Sequence, residues 1–261
     1  MIREKLTVIV PTFNEERNIR ACLESVRWAD EVIVVDSFST DRTVSIARGL
    51  ADRVLQHEYV NSAAQKNWAI PQAAHPWVMI VDADERVTPA LRDEILGVLA
   101  DPAGRCGFRI HRQNHFMGRP VRFCGWQRDD VLRLFRRDCG RYQQRAVHAD
   151  VLVDGPVGRL RNKLFHNTFD SFDQYMKKFD RYTSWAAQDR ARTTRRVGAV
   201  HLLLRPLARF VRQYVLYQGF RDGLTGLVIC QLAAFSVFMK YARLWEKQLK
   251  ERSEASPEKE K

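Results

Sequence analysis

Nothing in this chain reaches the roughly 20 consecutive apolar residues that a membrane-spanning helix needs. The strongest apolar run, Leu224 to Met239, is 16 residues long and carries Thr225, Gly226, Gln231 and Ser236. A secretory leader is not expected either, because the first apolar strand begins at Leu6 with no hydrophobic segment before it. The five cysteines, Cys22, Cys106, Cys124, Cys139 and Cys230, form no C-x-x-C pair and are too sparse for a disulfide framework, which fits a reducing compartment. The loop after Val10 holds neither G-x-G-x-x-G nor G-x-x-x-x-G-K, so a dinucleotide fingerprint and a P-loop are both excluded. Any nucleotide must be held another way.

What is present is enough apolar material for a sizeable core: 45% of 261 residues, one large domain or one domain with an appendage. The net charge of +12 is unevenly placed. From Lys177 onward there are 18 Lys and Arg against 8 Asp and Glu, whereas residues 1–176 carry 25 against 23. A basic final third beside a nearly neutral remainder predicts an anionic surface partner, nucleic acid or an anionic membrane leaflet.

Periodicity divides the chain further. Leu6–Val10 and Glu31–Asp36 read as strands, and Arg53–Gln56 as a weaker one. Helices are expected from Asn14 to about Arg27, from Asp41 to Arg48 with Gly49 as stop, and from Asn61 to about Ala74 despite Pro71. Trp77–Asp82 is a fourth strand, and Thr88 or Pro89 opens a helix to about Leu99. Four strand–helix alternations in about one hundred residues predict a doubly wound parallel α/β sheet with right-handed crossovers. Beyond Gly107, the segments Phe108–Arg112 and Val131–Arg136 alternate apolar with basic residues, the pattern of strands with one wet face. From Ser171 the chain turns helical to about Lys250, and Glu251–Lys261 reads as a disordered charged tail. The amphipathic stretch Val200–Trp245 reads as helices in a membrane interface or as buried packing helices.

The chemistry concentrates where apolar strands end in acids. Asp82 and Asp84 follow Trp77–Val81, at the edge where open α/β sheets bind ligands. On extended backbone both carboxylates face one side, and a hard divalent cation shared with a phosphate relieves their repulsion. The alternative is a solvated strand-to-helix turn. Asp36 either accepts from a base or ribose or caps the turn at Ser39–Thr43. Lys66 either meets a diphosphate or sits in solvent. Asp129, Asp130 and Asp150 are the carboxylates outside the nucleotide half placed to act as general base. His148 is the imidazole alternative, and His111-x-x-x-His115 has metal-like spacing only if helical, on a stretch that reads as strand.

Val8-Ile9-Val10-Pro11-Thr12-Phe13-Asn14-Glu15, Val34-Val35-Asp36-Ser37 with Thr40-Asp41, and Val81-Asp82-Ala83-Asp84-Glu85 together resemble family 2 glycosyltransferases of the GT-A fold. Tyr59–Trp68, the Gly125-Trp126 and Leu132–Arg137 block, and Val147-His148 resemble the bacterial lipopolysaccharide-core β-1,4-glucosyltransferase branch. The resemblance extends to about Trp245. It implies a GT-A catalytic domain over 1–170, with a nucleotide-sugar half to 104 and an acceptor half over 105–170. A helical membrane-interface region over 171–250 and the tail 251–261 follow it.

The roles implied are specific. Pro11, Asn14 and Glu15 line the nucleotide pocket, Asp36 meets uracil or ribose, and Lys66 lies near the diphosphate. Asp84 binds Mg²⁺ or Mn²⁺, with Asp82 helping to hold ribose or metal. The reaction expected is inverting transfer of a hexose, glucose from UDP-glucose first, to a lipopolysaccharide inner-core or other lipid-linked saccharide. The enzyme is expected in the cytoplasm, peripheral on the inner face of the inner membrane. The branch pattern has Glu directly after Val-His, where this chain has Ala149 followed by Asp150, so Asp129 and Asp150 both stand as base.

Two other function classes compete. A Mg²⁺ phosphohydrolase with an aspartyl nucleophile also uses D-x-D, but it wants Thr or Val where Arg86 stands and a motif nearer the N-terminus. A non-enzymatic RNA- or membrane-binding protein fits the pI near 9.8, but the positive charge adjoins an apolar stretch rather than a stacking platform, which favours lipid over nucleic acid.

Overall fold

The computed structural model describes residues 3–143, 150–169 and 171–254. The chain forms two compact units, residues 1–113 with 128–167, and residues 114–127 with 168–261.

The first unit is built on strands that are apolar on both sides. β1 (Leu6–Thr12), β2 (Glu31–Asp36), β3 (Arg53–Gln56) and β4 (Trp77–Ile80) are parallel, in spatial order β3-β2-β1-β4. Side chains alternate between two cores, as the period of a strand requires. Leu6, Val8, Val10, Val32, Val34, Trp77 and Met79 join one; Ile9, Ile33, Val35, Val78 and Ile80 join the other. Helices α1 (Ile19–Val26), α2 (Thr43–Arg48) and α4 (Pro89–Ala100) contribute Leu23, Ala47 and Leu91 to the first core. Helix α3 (Ser62–Ala69) contributes Ala63 and Ala69 to the second. The sheet is thus wound on both faces.

Helix ends follow their caps more closely than their periodicity. α1 begins at Ile19, not at Asn14. Asn14 sits at φ 54, and the backbone amides of Asn14, Glu15 and Glu16 donate to side chains of Ser39, Thr43 and Asp41. That exchange commits the segment to a loop zipped onto the β2–α2 connection. α3 starts after Asn61, whose side chain accepts from the Ala64 amide, and gives way to a 3-10 turn at Ile70–Gln72 that accommodates Pro71. α4 starts at Pro89 behind Thr88, which accepts from the Leu91 amide.

After β4 the chain makes a short β5 (Glu85–Val87), then β6 (Gly107–Phe116), β7 (Arg119–Pro120), β8 (Asp130–Arg136), β9 (Gly140–Tyr142), β10 (Val151–Val153), β11 (Val157–Arg159) and β12 (Leu164–Phe169). β8 inserts antiparallel between β4 and β6, and β12 pairs antiparallel with β5. The sheet is therefore mixed: β1–β4 are parallel, β8 and β12 run antiparallel to their neighbours, and β11 adds a parallel pairing to β6. His111 lies on β6, so its spacing to His115 is strand spacing and not the four-residue step of a helix.

The second unit is helical. α5 (Phe172–Ala191) is capped by Ser171, which accepts from the Gln174 amide. A helical run over 200–216 has α6 (Arg205–Val211) between two π-helical segments, and α7 (Gly223–Glu254) follows. Phe116, Val121, Cys124, Ile229 and Cys230 form one core; Ala187, Val197, Tyr241 and Leu244 form another. The 16-residue apolar run lies inside a longer helical segment: Gly219–Arg252 is 34 residues and holds an 18-residue window of mean hydropathy 1.6, enough to cross a membrane by length and composition alone. Residues 251–254, expected to be disordered, continue α7, and 255–261 lie outside the described residues.

Two glycines test this packing. A Cβ on Gly140 would overlap ring carbons of fully buried Phe135, so Gly140→Ala is expected to destabilise by about 1–3 kcal/mol. Gly97, on an exposed turn of α4, has nothing within 4 Å of such a Cβ, so Gly97→Ala is expected to stabilise by about 0.5–1 kcal/mol. Urea denaturation of both variants checks the pair.

Candidate active site

The end of β4 does not stay extended. The Glu85 amide donates to the Asp82 carbonyl at 2.8 Å, and the Asp82 amide donates to Glu85 Oε2 at 2.9 Å. This turn sends Asp82 and Asp84 to different neighbours, correcting the expectation that the two carboxylates lie side by side.

Asp82 meets two cations. Lys66 Nζ is 2.9 Å from one oxygen, and Arg133 Nη2 donates to the other. The same Arg133 nitrogen lies 2.7 Å from Glu85, whose side chain is fully buried. Arg112 sits 3.4 Å from Glu85 and makes a bidentate pair with Asp129 at 2.7 and 3.0 Å. The result is an alternating chain, Lys66–Asp82–Arg133–Glu85–Arg112–Asp129, three positive groups against three negative. Arg133 is only 5% exposed, so it does not belong to the wet face that the alternation of β8 predicts. Buried charges need partners, and Glu85 and Asp82 supply them.

The electrostatics follow from the pairing. Burial pushes the Asp82 carboxyl up, but Arg133 and Lys66 outweigh it and hold the group far below the usual carboxylate range. Burial pulls the Lys66 ammonium down, and Asp82 outweighs that, raising it. Asp82 therefore contributes stability above its unfolded value near 3.9 and loses it as pH falls toward the much lower folded value. Lys66 contributes below its unfolded value near 10.4 and loses this as pH rises through the higher folded one.

Asp84 points elsewhere. Its carboxylate is 22% exposed and 3.7 Å from His166 Nε2, on β12, while the Asn167 amide donates to the Asp84 carbonyl at 2.9 Å. Sequence reasoning missed His166, which antiparallel pairing of β12 with β5 places opposite Glu85. It also missed the roles of Glu85, Arg112 and Arg133. The one available signal was three acids within four residues, 82 to 85, with no base among them.

The remaining site residues fall in other places. Pro11 is half-buried on β1, opposite Val35 and beyond the last pairing with β4, so its missing N–H interrupts no ladder on that side. Asn14 Oδ1 accepts from the Thr40 amide at 2.8 Å, and Glu15 Oε2 accepts from Asn18 at 2.9 Å; both side chains hold loops. Asp36 is fully buried and accepts from Ser39 and Gln56, which is the turn-capping alternative rather than an open contact for uracil or ribose. Lys66, at 6% exposure, is neither a surface lysine nor a free one. Asp129 is paired with Arg112, and Asp130 with Arg109 and Arg159. Asp150 is exposed just before β10, while His148 and Ala149 lie outside the described residues.

Arg133→Met leaves Glu85 and Asp82 without their shared cation and is expected to cost about 3–5 kcal/mol near neutral pH. The deficit should shrink as pH falls, because the Arg133 pairing that holds the Asp82 carboxyl low stabilises the fold only while Asp82 is ionised. Urea titrations of both proteins at pH 7 and pH 3.5 check it; an equal deficit at both values would mean a packing effect instead.

The family described as Glycosyl transferase family 2 matches residues 7–148, more than half of the chain. A lipopolysaccharide core biosynthesis glycosyltransferase, LpsC of Rhizobium meliloti, is 29% identical over 254 residues, covering 93% of this chain and 92% of that protein. An uncharacterized glycosyltransferase of Rickettsia felis is 26% identical, covering 96% and 93%. Among solved structures, S. aureus TarS aligns at 17% identity and a TM-score of 0.47, covering 84% of this chain and 46% of that one. The phosphohydrolase and RNA-binding alternatives give way to the sequence match, which takes in β1, β2, β4 and the turn carrying Asp82 and Asp84. The chain belongs to glycosyl transferase family 2, and its α/β domain is of the GT-A kind.

Proposed function

We propose that this glycosyltransferase moves a hexose, glucose from UDP-glucose first, to a hydroxyl of a lipopolysaccharide-core or other lipid-linked saccharide, with inversion. The observation that carries the reading is the turn at 82–85, which presents Asp84 with His166 beside a buried row of cations. The donor class follows from the family resemblance. The acceptor class follows from the name of the Rhizobium meliloti relative, which is similar along nearly the whole chain.

The residues present fit a divalent cation in part. Asp82 is committed to Lys66 and Arg133, so it is withdrawn as a metal ligand. Asp84 and His166 remain, a carboxylate and an imidazole 3.7 Å apart and both partly exposed. Among the described residues no group of three or more metal-binding side chains exists. Two protein donors suit an ion that takes its other ligands from phosphate and water, and the imidazole favours Mn²⁺ over Mg²⁺. When bound, such an ion neutralises charge on the departing diphosphate.

The protein's own groups do the rest. Lys66 and Arg133 hold positive charge at the carboxyl edge of the sheet, where a diphosphate leaving group needs it. Of the two carboxylates carried as base, Asp150 is the exposed one and would take the proton of the acceptor hydroxyl. Both oxygens of Asp129 already accept from Arg112, so Asp150 is preferred as base.

The second unit supports an anionic membrane surface as partner. Leu203, Leu204, Leu207, Val215 and Leu216 are each more than half exposed along one helical run, with Arg205 and Arg212 exposed among them. Apolar residues interleaved with basic ones fit helices lying in a lipid interface, on the cytoplasmic side where UDP-sugars are made available.

Asp84→Asn is expected to lower kcat by about 10²–10³. Asp150→Asn is expected to lower kcat by about 10²–10⁴ with little change in donor KM. UDP release with Mn²⁺, a UDP-sugar panel and heptose-containing core acceptors measures both. Full turnover by the Asp84 variant would sink the metal assignment, and no release by the wild-type protein would sink the activity.

A further inference from the structure

Tyr142 ends β9 and is 6% exposed, packed into the core beneath α3. Its backbone is gripped by Asn67: the Asn67 amide donates to the Tyr142 carbonyl at 2.9 Å, and the Tyr142 N–H donates to Asn67 Oδ1 at 2.8 Å. Asn67 is the residue after Lys66, so one turn of α3 fixes both the ammonium and the phenol. The Lys66 ammonium lies 5.3 Å from the centre of the Tyr142 ring. The phenol is also within electrostatic reach of Arg133.

The Tyr142 hydroxyl is buried and has no hydrogen-bond partner among the described residues, and the same holds for Nε of Arg133. Buried polar atoms without partners are uncommon in native proteins and ask for an explanation. A tyrosine whose hydroxyl did nothing would be better replaced by phenylalanine. The local inventory shows what is missing. Lys66, Arg133 and Tyr142 are rich in donors, while both oxygens of Asp82 are already taken. The surplus calls for a ligand made mostly of acceptor oxygens, and a diphosphate is that ligand.

We propose that the Tyr142 hydroxyl is a contact for the donor's diphosphate, with the ring seating the Lys66 ammonium beside it. This rests on the donor reading given above and adds a residue to it. Tyr142→Phe removes the hydroxyl and keeps the ring, the packing and the Asn67 clamp. Titration calorimetry with UDP and with uridine, both in MnCl₂, reads the effect on full-length protein. UDP is expected to bind about tenfold more weakly to the variant, as for a lost hydrogen bond to a charged group, with uridine unchanged within about twofold. A thermal midpoint equal to that of the wild type would confirm that the fold is intact. Unchanged UDP binding would overturn the contact. Equal weakening toward UDP and uridine would overturn it too, by showing a structural effect. A wild-type protein that binds neither would overturn the donor reading, and the contact with it.

Discussion

One guanidinium organises the centre of this enzyme. Arg133 lies between Asp82 and Glu85, and without it the fully buried Glu85 carboxylate would keep one cation among the described residues, Arg112, 3.4 Å away. Charges removed from water are tolerated only when opposite charges are held close with good geometry. Every neighbouring element has a part in that arrangement. β8 carries Arg133, α3 carries Lys66, β6 carries Arg112, and the turn after β4 carries the acids. The antiparallel insertion of β8 beside β4 brings the arginine across from the acids, and a fully parallel sheet would not.

The frame was readable from sequence because its signal is strong and local. β1, β2 and β4 are unbroken apolar runs, and such runs have few stable homes other than a sheet covered on both faces. The caps at Asn61, Thr88 and Ser171 are likewise local signals, and the structure uses each one. The site was less legible, for two reasons. Alternation along β8 marks Arg133 as solvent-facing, because period-2 reasoning cannot see an acid arriving from 48 residues upstream. The turn at 82–85 is set by a side chain, Glu85, bonding back to the Asp82 amide, so extended spacing was the wrong ruler for the D-x-D pair. His166 was invisible because only strand pairing brings it to Asp84.

The loop residues show a related effect. Asn14, Glu15 and Asp36 are part of the family resemblance, yet their polar atoms mostly hold one loop to another. Asn14 bridges the β1–α1 and β2–α2 loops with both its amide and its side chain, and its left-handed backbone makes that bridge possible. Asparagine tolerates that conformation better than most residues. Two loops joined this way are cross-braced by side-chain hydrogen bonds. On the proposed reading, such residues serve a nucleotide by fixing backbone position in advance rather than by touching it.

Charge neutrality of the ion-pair chain sets the terms on which a donor binds. On the proposed reading, a diphosphate meets Lys66 and Arg133 already paired with Asp82 rather than a bare positive pocket. It has to share these cations with Asp82, and a divalent ion at Asp84 and His166 would offset the added negative charge. Donor and metal are then expected to bind in each other's favour, since each supplies the charge that the other lacks. On the same reading, the Tyr142 hydroxyl and Arg133 Nε, buried and without hydrogen-bond partners among the described residues, push the same way, because acceptor oxygens would complete them. On the proposed reading, the pairing that keeps Asp82 and Glu85 tolerable in the fold also sets how the site discriminates a nucleoside diphosphate from a lone metal or a lone nucleoside.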